Sequence, residues 1–305
     1  MNGTFMRYPR LRYHNERSWL SASDALLICF YIPQPNEQIA PAVIRTVELF
    51  RNQIRPYQLV WNDTGEGQAE PLDDVSWERS RRKILDAEPG EGGFLGLSSH
   101  THRVDDLLVD YRGLSPVPLP WPERKDDVCV LYLRLPTAYL EERGPEHVHA
   151  LARELAAELP FSSGYVDFVL CSSSLHAVAA LELIRSRYPG VHLTSSGATM
   201  YVGTRVEGVH WMNFLGQPVL GELGGVSGLR ERLSLPDISL QEMSGDRVLI
   251  TLGERPEVGD VEADQRLAPH RALARVLEPV LYRRKSMFGH KVPEELLRWD
   301  RRFLE

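Results

Sequence analysis

An uninterrupted apolar run from Ala25 to Ile32 limits most strongly what this chain can fold into. Its residues, ALLICFYI, are rich in strand formers and are followed by Pro33 and Pro35, so the run predicts a strand that is buried on both faces. Such a strand needs a large core. The chain of 305 residues is long enough to bury roughly 75% of the surface that its unfolded form exposes, without disulfide or metal staples.

Amphipathic helices follow the predicted strands. Apolar residues recur at three- and four-residue spacing from Ile39 to Phe50, and the strand-then-helix order returns at Val128 to Leu135 and Pro145 to Leu159. Further on, Asp237 to Met243 and Arg247 to Leu252 predict a hairpin whose turn, SGD, places glycine where a positive φ is needed. Strand runs interspersed with helices, together with this hairpin, predict an α+β fold in which helices pack on one or more mixed sheets.

The Pro-rich segment 114–124 is the best candidate for a linker. Its prolines impose extended conformations and remove backbone donors. It divides the chain into an N-terminal αβ half, residues 1–113, and a C-terminal αβ half, residues 125–305. Because both halves open with the same strand-then-helix order, the sequence leaves open that they are related.

Charge and composition exclude several classes of function. The sequence has 42 acidic and 35 basic residues, a formal charge of −7, and no long block of lysine and arginine, so nucleic-acid binding is not expected as its primary role. An acidic protein suits a basic protein partner better. No apolar stretch approaches the roughly 18 residues of a membrane span. Because the polar N-terminus also lacks the apolar core of a secretory signal, we expect a cytoplasmic protein without membrane contact.

A serine-rich turn is one candidate for catalysis. Ser172, Ser173 and Ser174, with His176 close by, occupy a predicted strand-to-helix turn where an α/β-hydrolase would place its nucleophile. The motif G-x-S-x-G is missing, however, and a hydrolase normally recruits its histidine from a distant loop. A serine at a helix start most often caps the helix, and capping is the role we expect here.

Metal ligands are also scarce. His100 and His102, with Asp105-Asp106, have the residue types of a two-histidine, one-carboxylate metal site, but the flanking residues indicate a solvated loop. Three cysteines lie in apolar runs and are predicted to be buried, reduced thiols: Cys29, Cys129 and Cys171. We therefore expect no enzymatic activity, no metal and no cofactor.

Two groups of carboxylates stand out in segments with few apolar residues. The first acidic cluster consists of Asp63, Glu66, Glu70, Asp73 and Asp74. The second acidic cluster consists of Glu257, Asp260, Glu262 and Asp264. The segment 62–74 is predicted to be an exposed loop, because its composition does not support a packed element. We expect solvated surface at both clusters and a partner-binding role for at least one of them.

Four motifs in the C-terminal third resemble the type VI immunity family, a bacterial family long catalogued as a domain of unknown function. They are W-M-N-F-L-G at 211–216, L-G-E-L-G-G at 220–225, G-E-R-P-E-V-G-D-V at 253–261 and W-D-R-R-F at 299–303. The resemblance implies a protein that binds and neutralises a toxin of a type VI or polymorphic-toxin system, in a one-to-one complex that protects the producing cell. Toxins of such systems are often nucleases. No catalytic residues come with the resemblance.

Two alternative functions stay open at this point. A metal-dependent or serine hydrolase requires His100 and His102, or Ser172 and His176, arranged in a pocket. A structural component of a secretion or phage-like apparatus would instead associate symmetrically with itself through a large apolar patch.

One expectation concerns the core. Trp211, Phe214 and Leu215 lie in an aromatic-rich run beside a Gly-Gly turn. They are predicted to pack against the final helix through Leu273 and Leu277.

Overall fold

The computed structural model describes residues 8–14, 17–18, 20–88, 91–101, 107–115, 124, 126–172, 182, 184, 186–195, 200–285 and 291–305. Within these residues, twelve strands form one sheet and eight α-helices accompany it. The predicted α+β class is therefore confirmed.

The sheet is almost entirely antiparallel. Its strands are β1 (Tyr13–His14), β2 (Leu20–Ile32), β3 (Trp61–Asp63), β4 (Ala69–Pro71), β5 (Gly93–Ser98), β6 (Leu108–Gly113), β7 (Cys129–Leu135), β8 (Ser163–Ser172), β9 (His192–Ser195), β10 (Met212–Leu215), β11 (Ile238–Met243) and β12 (Arg247–Leu252). They run across the sheet in the order β11-β12-β10-β8-β2-β7-β6-β5-β3-β4, with β1 also paired to β2 and β9 to β8. Among these strands, only β8 and β9 pair in parallel.

Six of the eight described α-helices lie between strands in the chain, and the last two follow β12. They are α1 (Asn36–Gln53), α2 (Asp74–Leu85), α3 (Thr137–Arg143), α4 (Pro145–Ala156), α5 (Val219–Glu222), α6 (Gly225–Arg232), α7 (Ala268–Leu277) and α8 (Glu294–Asp300). Three short 3₁₀ helices, Met200–Val202, Val261–Ala263 and Glu278–Val280, complete the described part of the chain.

Strand β2 forms the centre of the sheet. It pairs with β7 on one side and with β8 on the other. Since successive side chains of a strand point to opposite faces, Leu26 and Ile28 lie in one hydrophobic cluster, and Leu27 and Cys29 lie in another. All four are fully buried, as the apolar run predicted.

Helices α1, α3 and α4 contribute to the cluster on one face of β2. Val43 and Val47 of α1, Leu140 of α3, and Leu151 and Leu155 of α4 belong to this cluster with Leu26 and Ile28. Within α1 and α4 these residues are four positions apart, which places them on one side of the helix. The predicted strand-then-helix order is confirmed on both sides of the segment 114–124.

A second layer of helices packs near the C-terminal strands. Leu229 of α6 and Leu273 and Leu277 of α7 share a hydrophobic cluster with Ile250 of β12. The predicted hairpin between β11 and β12 is confirmed, and Gly245 in its turn has a φ of 75°.

The predicted packing of the W-M-N-F-L-G motif is correct for one of its three apolar residues. Leu215 lies in the same hydrophobic cluster as Leu273 and Leu277. Trp211 and Phe214 lie in the cluster with α1 and α4 instead. Phe214 and Leu215 are neighbours in a strand, so they face opposite sides of the sheet.

The expectation of an unstructured loop at 62–74 is wrong. The segment contains part of β3, all of β4 and the start of α2. Strand β3 pairs with β5, more than thirty residues later in the chain, and a partner that far away supplies hydrogen bonds that local composition does not show. Gly65 and Gly67, with φ of 85° and 77°, form the turn between β3 and β4.

The C-terminal end of the chain has more structure than predicted. The predicted final helix, which carries Leu273 and Leu277, is α7; it ends at Leu277 and continues as the 3₁₀ helix Glu278–Val280. Helix α8 was not predicted.

Residues on both sides of the predicted linker contribute to one sheet, since β2 lies between β7 and β8. Residues 116–123 of that linker lie outside the described residues. The division into halves at 114–124 stays a prediction.

Candidate functional site

The first acidic cluster lies at one end of the sheet, on the hairpin β3–β4 and the first turn of α2. The side chain of Asp63 accepts a hydrogen bond from the backbone N–H of Gly65 at 2.8 Å. Glu70 accepts one from the side-chain amide of Asn62 at 2.8 Å and one from the guanidinium of Arg79 at 3.1 Å. These carboxylates therefore hold the hairpin together and attach it to α2.

Asp73 caps helix α2. Its carboxylate accepts a hydrogen bond from the backbone N–H of Ser76 at 2.8 Å, and the hydroxyl of Ser76 accepts one from the backbone N–H of Asp73 at 2.9 Å. The bond from the Ser76 backbone is the main reason why the pKa of Asp73 is lowered. Asp74, in the first turn of α2, and Glu66, in the hairpin turn, are exposed to solvent.

Two clefts flank this cluster. One of about 740 Å³ lies beside the hairpin turn, and Glu66 and Arg112 are among its lining residues. The other, of about 840 Å³, lies between the end of α1 and the start of α2, and its lining includes Tyr57, Asp74 and Trp77. Residues 64–75, called the ridge below, line one cleft at the hairpin turn and the other cleft at the start of α2.

The second acidic cluster is largely paired with arginine. Arg187 forms ion pairs of 2.9 Å with both Asp260 and Glu262. The hydrogen bonds from Arg187 are the main reason why the pKa of Asp260 is lowered. Asp260 also accepts a bond from the backbone N–H of Glu262 at 3.0 Å, and Asp264 pairs with Arg266 at 3.1 Å on the surface.

The two acidic clusters occupy different places on the molecule. The first lies at the β4 end of the sheet, whereas the segment of the second cluster contacts the chain just before β9, where the N–H of Gly190 donates to the carbonyl of Val258 at 2.7 Å. Strands β5, β6, β7 and β2 separate β3 from β8, the partner of β9. Glu257 is exposed, so each cluster presents carboxylate to solvent on its own.

Sequence reasoning missed a group of polar side chains on the face of the sheet opposite α1. This buried polar cluster consists of Tyr31, Tyr165, Asp167, His192, Glu207 and His210. The carboxylate of Asp167 is 3.0 Å from Nδ1 of His210, and the ring of Tyr165 stacks on that imidazole at 3.9 Å. The hydroxyl of Tyr31 donates to Glu207 at 2.5 Å.

Burial controls the protonation of this cluster. It lowers the pKa of His192 and of His210 to about 3 and raises the pKa of Asp167 to about 7. Both imidazoles are therefore neutral at neutral pH. Nε2 of His210 is buried and has no hydrogen-bond partner within the described part of the protein. Glu207 reaches the surface, with 15% of its side chain exposed.

The W-D-R-R-F motif belongs to a C-terminal strap, residues 291–305, that joins two hydrophobic clusters. Trp299 packs with Phe168 of β8, and Phe303 packs in the cluster of α7. Between them, Arg302 donates to the carbonyl of Pro189 at 2.6 Å and to that of Trp299 at 3.0 Å. Its guanidinium also lies 4.3 Å and 4.5 Å from the ring centres of Trp299 and Phe303.

The candidate catalytic residues are placed only in part. Ser172 ends β8, and Ser173, Ser174 and His176 lie outside the described residues. His100 is an exposed residue just after β5, with Nδ1 3.1 Å from the hydroxyl of Ser99.

His102 and Asp105-Asp106 also lie outside the described residues. Across the residues that are described, no group of three or more His, Cys, Asp or Glu side chains is arranged to hold a metal ion. The three cysteines are buried free thiols, as predicted. In the same part of the chain, none of the helices combines the length and apolar character that a membrane span requires.

Comparison with known proteins connects this fold to a family. The sequence matches TsiV, described as "Type VI immunity for VRR-NUC", over residues 42–303. The structure is similar to that of the Pseudomonas aeruginosa T6SS protein PA0821, with a TM-score of 0.72 and 21% sequence identity, over 96% of this chain and 87% of that chain. At this identity the likeness shows a shared fold. No curated protein matches the sequence. Because the family match spans well over half of the sequence, the chain belongs to the family of type VI immunity proteins for VRR-NUC.

Proposed function

We propose that this protein binds a cognate bacterial toxin carrying a VRR-NUC nuclease, in a one-to-one complex that neutralises the toxin and protects the producing cell. The observation that carries the proposal is the family match over residues 42–303. Neutralisation rests on binding and needs no catalytic step by the immunity protein. The complex forms in the cytoplasm, where a nuclease toxin would meet nucleic acid.

Charge complementarity supports this choice of partner. A nuclease must hold a polyanionic substrate, so its binding groove is basic. The immunity protein is acidic, with a formal charge of −7. Opposite charges accelerate the diffusional encounter and discriminate against wrong partners more than they add to final affinity. We therefore expect at least one of the two acidic clusters to lie at the interface.

A test by charge reversal needs variants that leave the fold intact. Asp63, Asp73 and Asp260 each accept hydrogen bonds within the protein, so their replacement would also disturb local structure. Glu66 and Asp74 are the suitable targets in the first acidic cluster. In the second, Glu257 is exposed, and the ion pair of Asp264 with Arg266 lies on the surface and contributes little to stability, so these two are the suitable targets.

The experiment measures association of each double lysine variant with a catalytically inactive form of the toxin. Glu66→Lys with Asp74→Lys, or Glu257→Lys with Asp264→Lys, should slow association roughly tenfold at low salt. The difference should shrink as salt shortens the Debye length below about 10 Å. The same variant should protect toxin-expressing cells less well.

The matched control reverses two exposed carboxylates elsewhere, Glu231→Lys with Asp237→Lys, near the β11 edge of the sheet. It changes the net charge equally and should slow association less. If neither cluster variant differs from this control, the acidic clusters are only solvated surface. If wild-type protein does not bind the toxin at all, the proposed function is wrong.

A further inference from the structure

One exposed apolar side chain lies inside the first acidic cluster. Val75, in the first turn of α2, is 73% exposed, more than any other large apolar residue in the described part of the chain. Val60, whose carbonyl accepts a bond from Leu72 just before α2, is 41% exposed. The exposed carboxylates Asp74 and Glu66 lie on the same ridge. An apolar centre with a charged rim is the usual anatomy of a protein–protein interface.

The cleft beside Val75 has the residue types of a binding hot spot. Tyr57, Trp77 and Arg51 line this cleft of about 840 Å³, and Trp, Tyr and Arg are the residues most enriched at hot spots. The guanidinium of Arg51 lies 4.5 Å from the ring centre of Trp77. Glu48, Asp74 and two arginines give the cleft balanced charge. A cleft of balanced charge does not favour an ion of either sign, and its aromatic and guanidinium groups can stack on a planar side chain.

The ridge is held rigidly before any partner arrives. The hydroxyl of Ser80 in α2 donates to the side chain of Asn62 in β3 at 3.0 Å, and Arg79 in α2 pairs with Glu70 in β4 at 3.1 Å. The capping box at Asp73 holds the start of the helix. Binding to a surface that is already ordered loses less conformational entropy, so each contact contributes more to affinity.

The edge strand β4 is poorly suited to pairing with a strand of another protein. Strand β4 has three residues and ends in Pro71, which has no backbone N–H to donate to a further strand. A partner at this end of the sheet must therefore be recognised through side chains.

The second acidic cluster is less suited than the ridge to bind a basic partner. Its exposed apolar residue, Val261, is 57% exposed. The neighbouring carboxylates of Asp260 and Glu262 are both paired with Arg187. A basic partner would have to compete with that arginine.

We propose that the toxin's nuclease docks on the ridge formed by β4 and the start of α2, with Val75 at the centre of the interface and the cleft of Tyr57 and Trp77 receiving an apolar or aromatic side chain from a basic surface. This inference rests on the proposed function and names the surface that performs it. The carboxylates Glu66 and Asp74 then form the rim that meets the basic groove.

The test places a cation at the centre of each candidate surface. Val75→Arg should weaken binding of the inactive toxin at least tenfold, because a charge buried at an interface without a partner is costly. The matched control, Val261→Arg, makes the same change at the second acidic cluster and should bind within threefold of wild type. Both valines are exposed, so both variants should unfold thermally like wild type.

A second variant tests the cleft independently of charge. Gln58, an exposed residue that lines the cleft, is replaced by tryptophan to fill it, and Gln58→Trp should weaken binding roughly tenfold. If wild type binds and both Val75→Arg and Gln58→Trp bind like wild type, the docking surface is wrong while the proposed function stands. A loss confined to Val261→Arg would reassign the interface to the second cluster. Absence of binding by wild type would overturn both proposals.

Discussion

At the scale of single residues, Phe214 and Leu215 are adjacent and both apolar, yet they lie on opposite faces of the sheet. The structure places Phe214 against Phe30 and Phe161, with ring centres 5.3 Å and 5.7 Å apart. The alternation of β10 is visible only once the register with β8 and β12 is known.

Trp211 is fully buried beside β10, with 1% of its surface exposed. Replacing it with alanine removes a large aromatic side chain from a packed cluster, so Trp211→Ala should lower the free energy of unfolding by about 3 to 5 kcal/mol. Urea unfolding followed by circular dichroism measures the loss. As a control, Leu235→Ala at a residue 39% exposed should change stability by less than about 0.5 kcal/mol. Equal effects of the two substitutions would contradict the assigned packing.

At the scale of elements, local patterns predicted what local interactions determine. The buried run of β2, the amphipathic helix α4 and the turn at Gly245 were all recognisable, because apolar spacing and a glycine with positive φ act within a few residues. Strands β3 and β4 were missed because their pairing depends on β5. Helix α8 has only seven residues, and its stability comes from the contacts of the C-terminal strap.

Arg302 attaches that strap together with the packed rings of Trp299 and Phe303. Arg302→Ala removes hydrogen bonds to the carbonyls of Pro189 and Trp299 and the stacking on two rings, and should lower the free energy of unfolding by about 2 kcal/mol. Hydrogen exchange of residues 294–304 should become faster. Arg301 is the matched control, since its ion pair with Glu278 is exposed, and Arg301→Ala should change stability by less than about 1 kcal/mol. Similar values for both variants would mean that the strap is attached elsewhere.

At the scale of the whole molecule, the buried polar cluster is assembled from side chains that are far apart in the sequence. Its members are spread from Tyr31 to His210 and come from β2, β8, β9 and the segment before β10. No short segment contains the whole cluster, so the spacing of residues within one segment does not predict it. The sequence does contain one indication of the cluster. Asp167 is an acidic residue within the apolar run 165–170, and a buried charge requires a partner.

This cluster, together with the buried His270 of α7, makes stability depend on pH. Burial lowers the pKa of His192, His210 and His270 from 6.5 to about 3. The unfolded chain takes up these protons first, so the contribution to stability is complete above about pH 6.5 and is lost as pH falls toward about 3. The pKa of Asp167 rises from 3.8 to about 7, so its contribution to stability grows as pH falls. This gain cancels the loss caused by one imidazole. Each of the other two imidazoles should lower the free energy of unfolding by about 1.4 kcal/mol for each pH unit of acidification.

Urea unfolding at about pH 7 and about pH 5 measures this dependence. His270→Phe removes a buried imidazole beside the ring of Phe303 and should reduce the loss on acidification by about 1.4 kcal/mol per pH unit. Leu273→Ala, on the same helix as His270, removes no titratable group, so it should lower stability equally at both pH values. A profile that is flat over this range for wild type would show that the buried histidines are already charged.

The position of β2 between β7 and β8 also determines when the centre of the sheet can form during translation. The apolar run of β2 ends at residue 32, whereas the two strands that flank this run in the sheet, β7 and β8, begin only at residues 129 and 163. At translation rates of about 5 to 20 residues per second, this apolar strand exists for about 5 to 20 s before either partner strand has been made. During that interval the apolar run lacks both of the strands that flank it in the sheet, and an unpaired apolar strand is prone to aggregation. The sheet can be completed only after most of the chain has been translated, so the proposed function requires finished molecules to be present before the toxin.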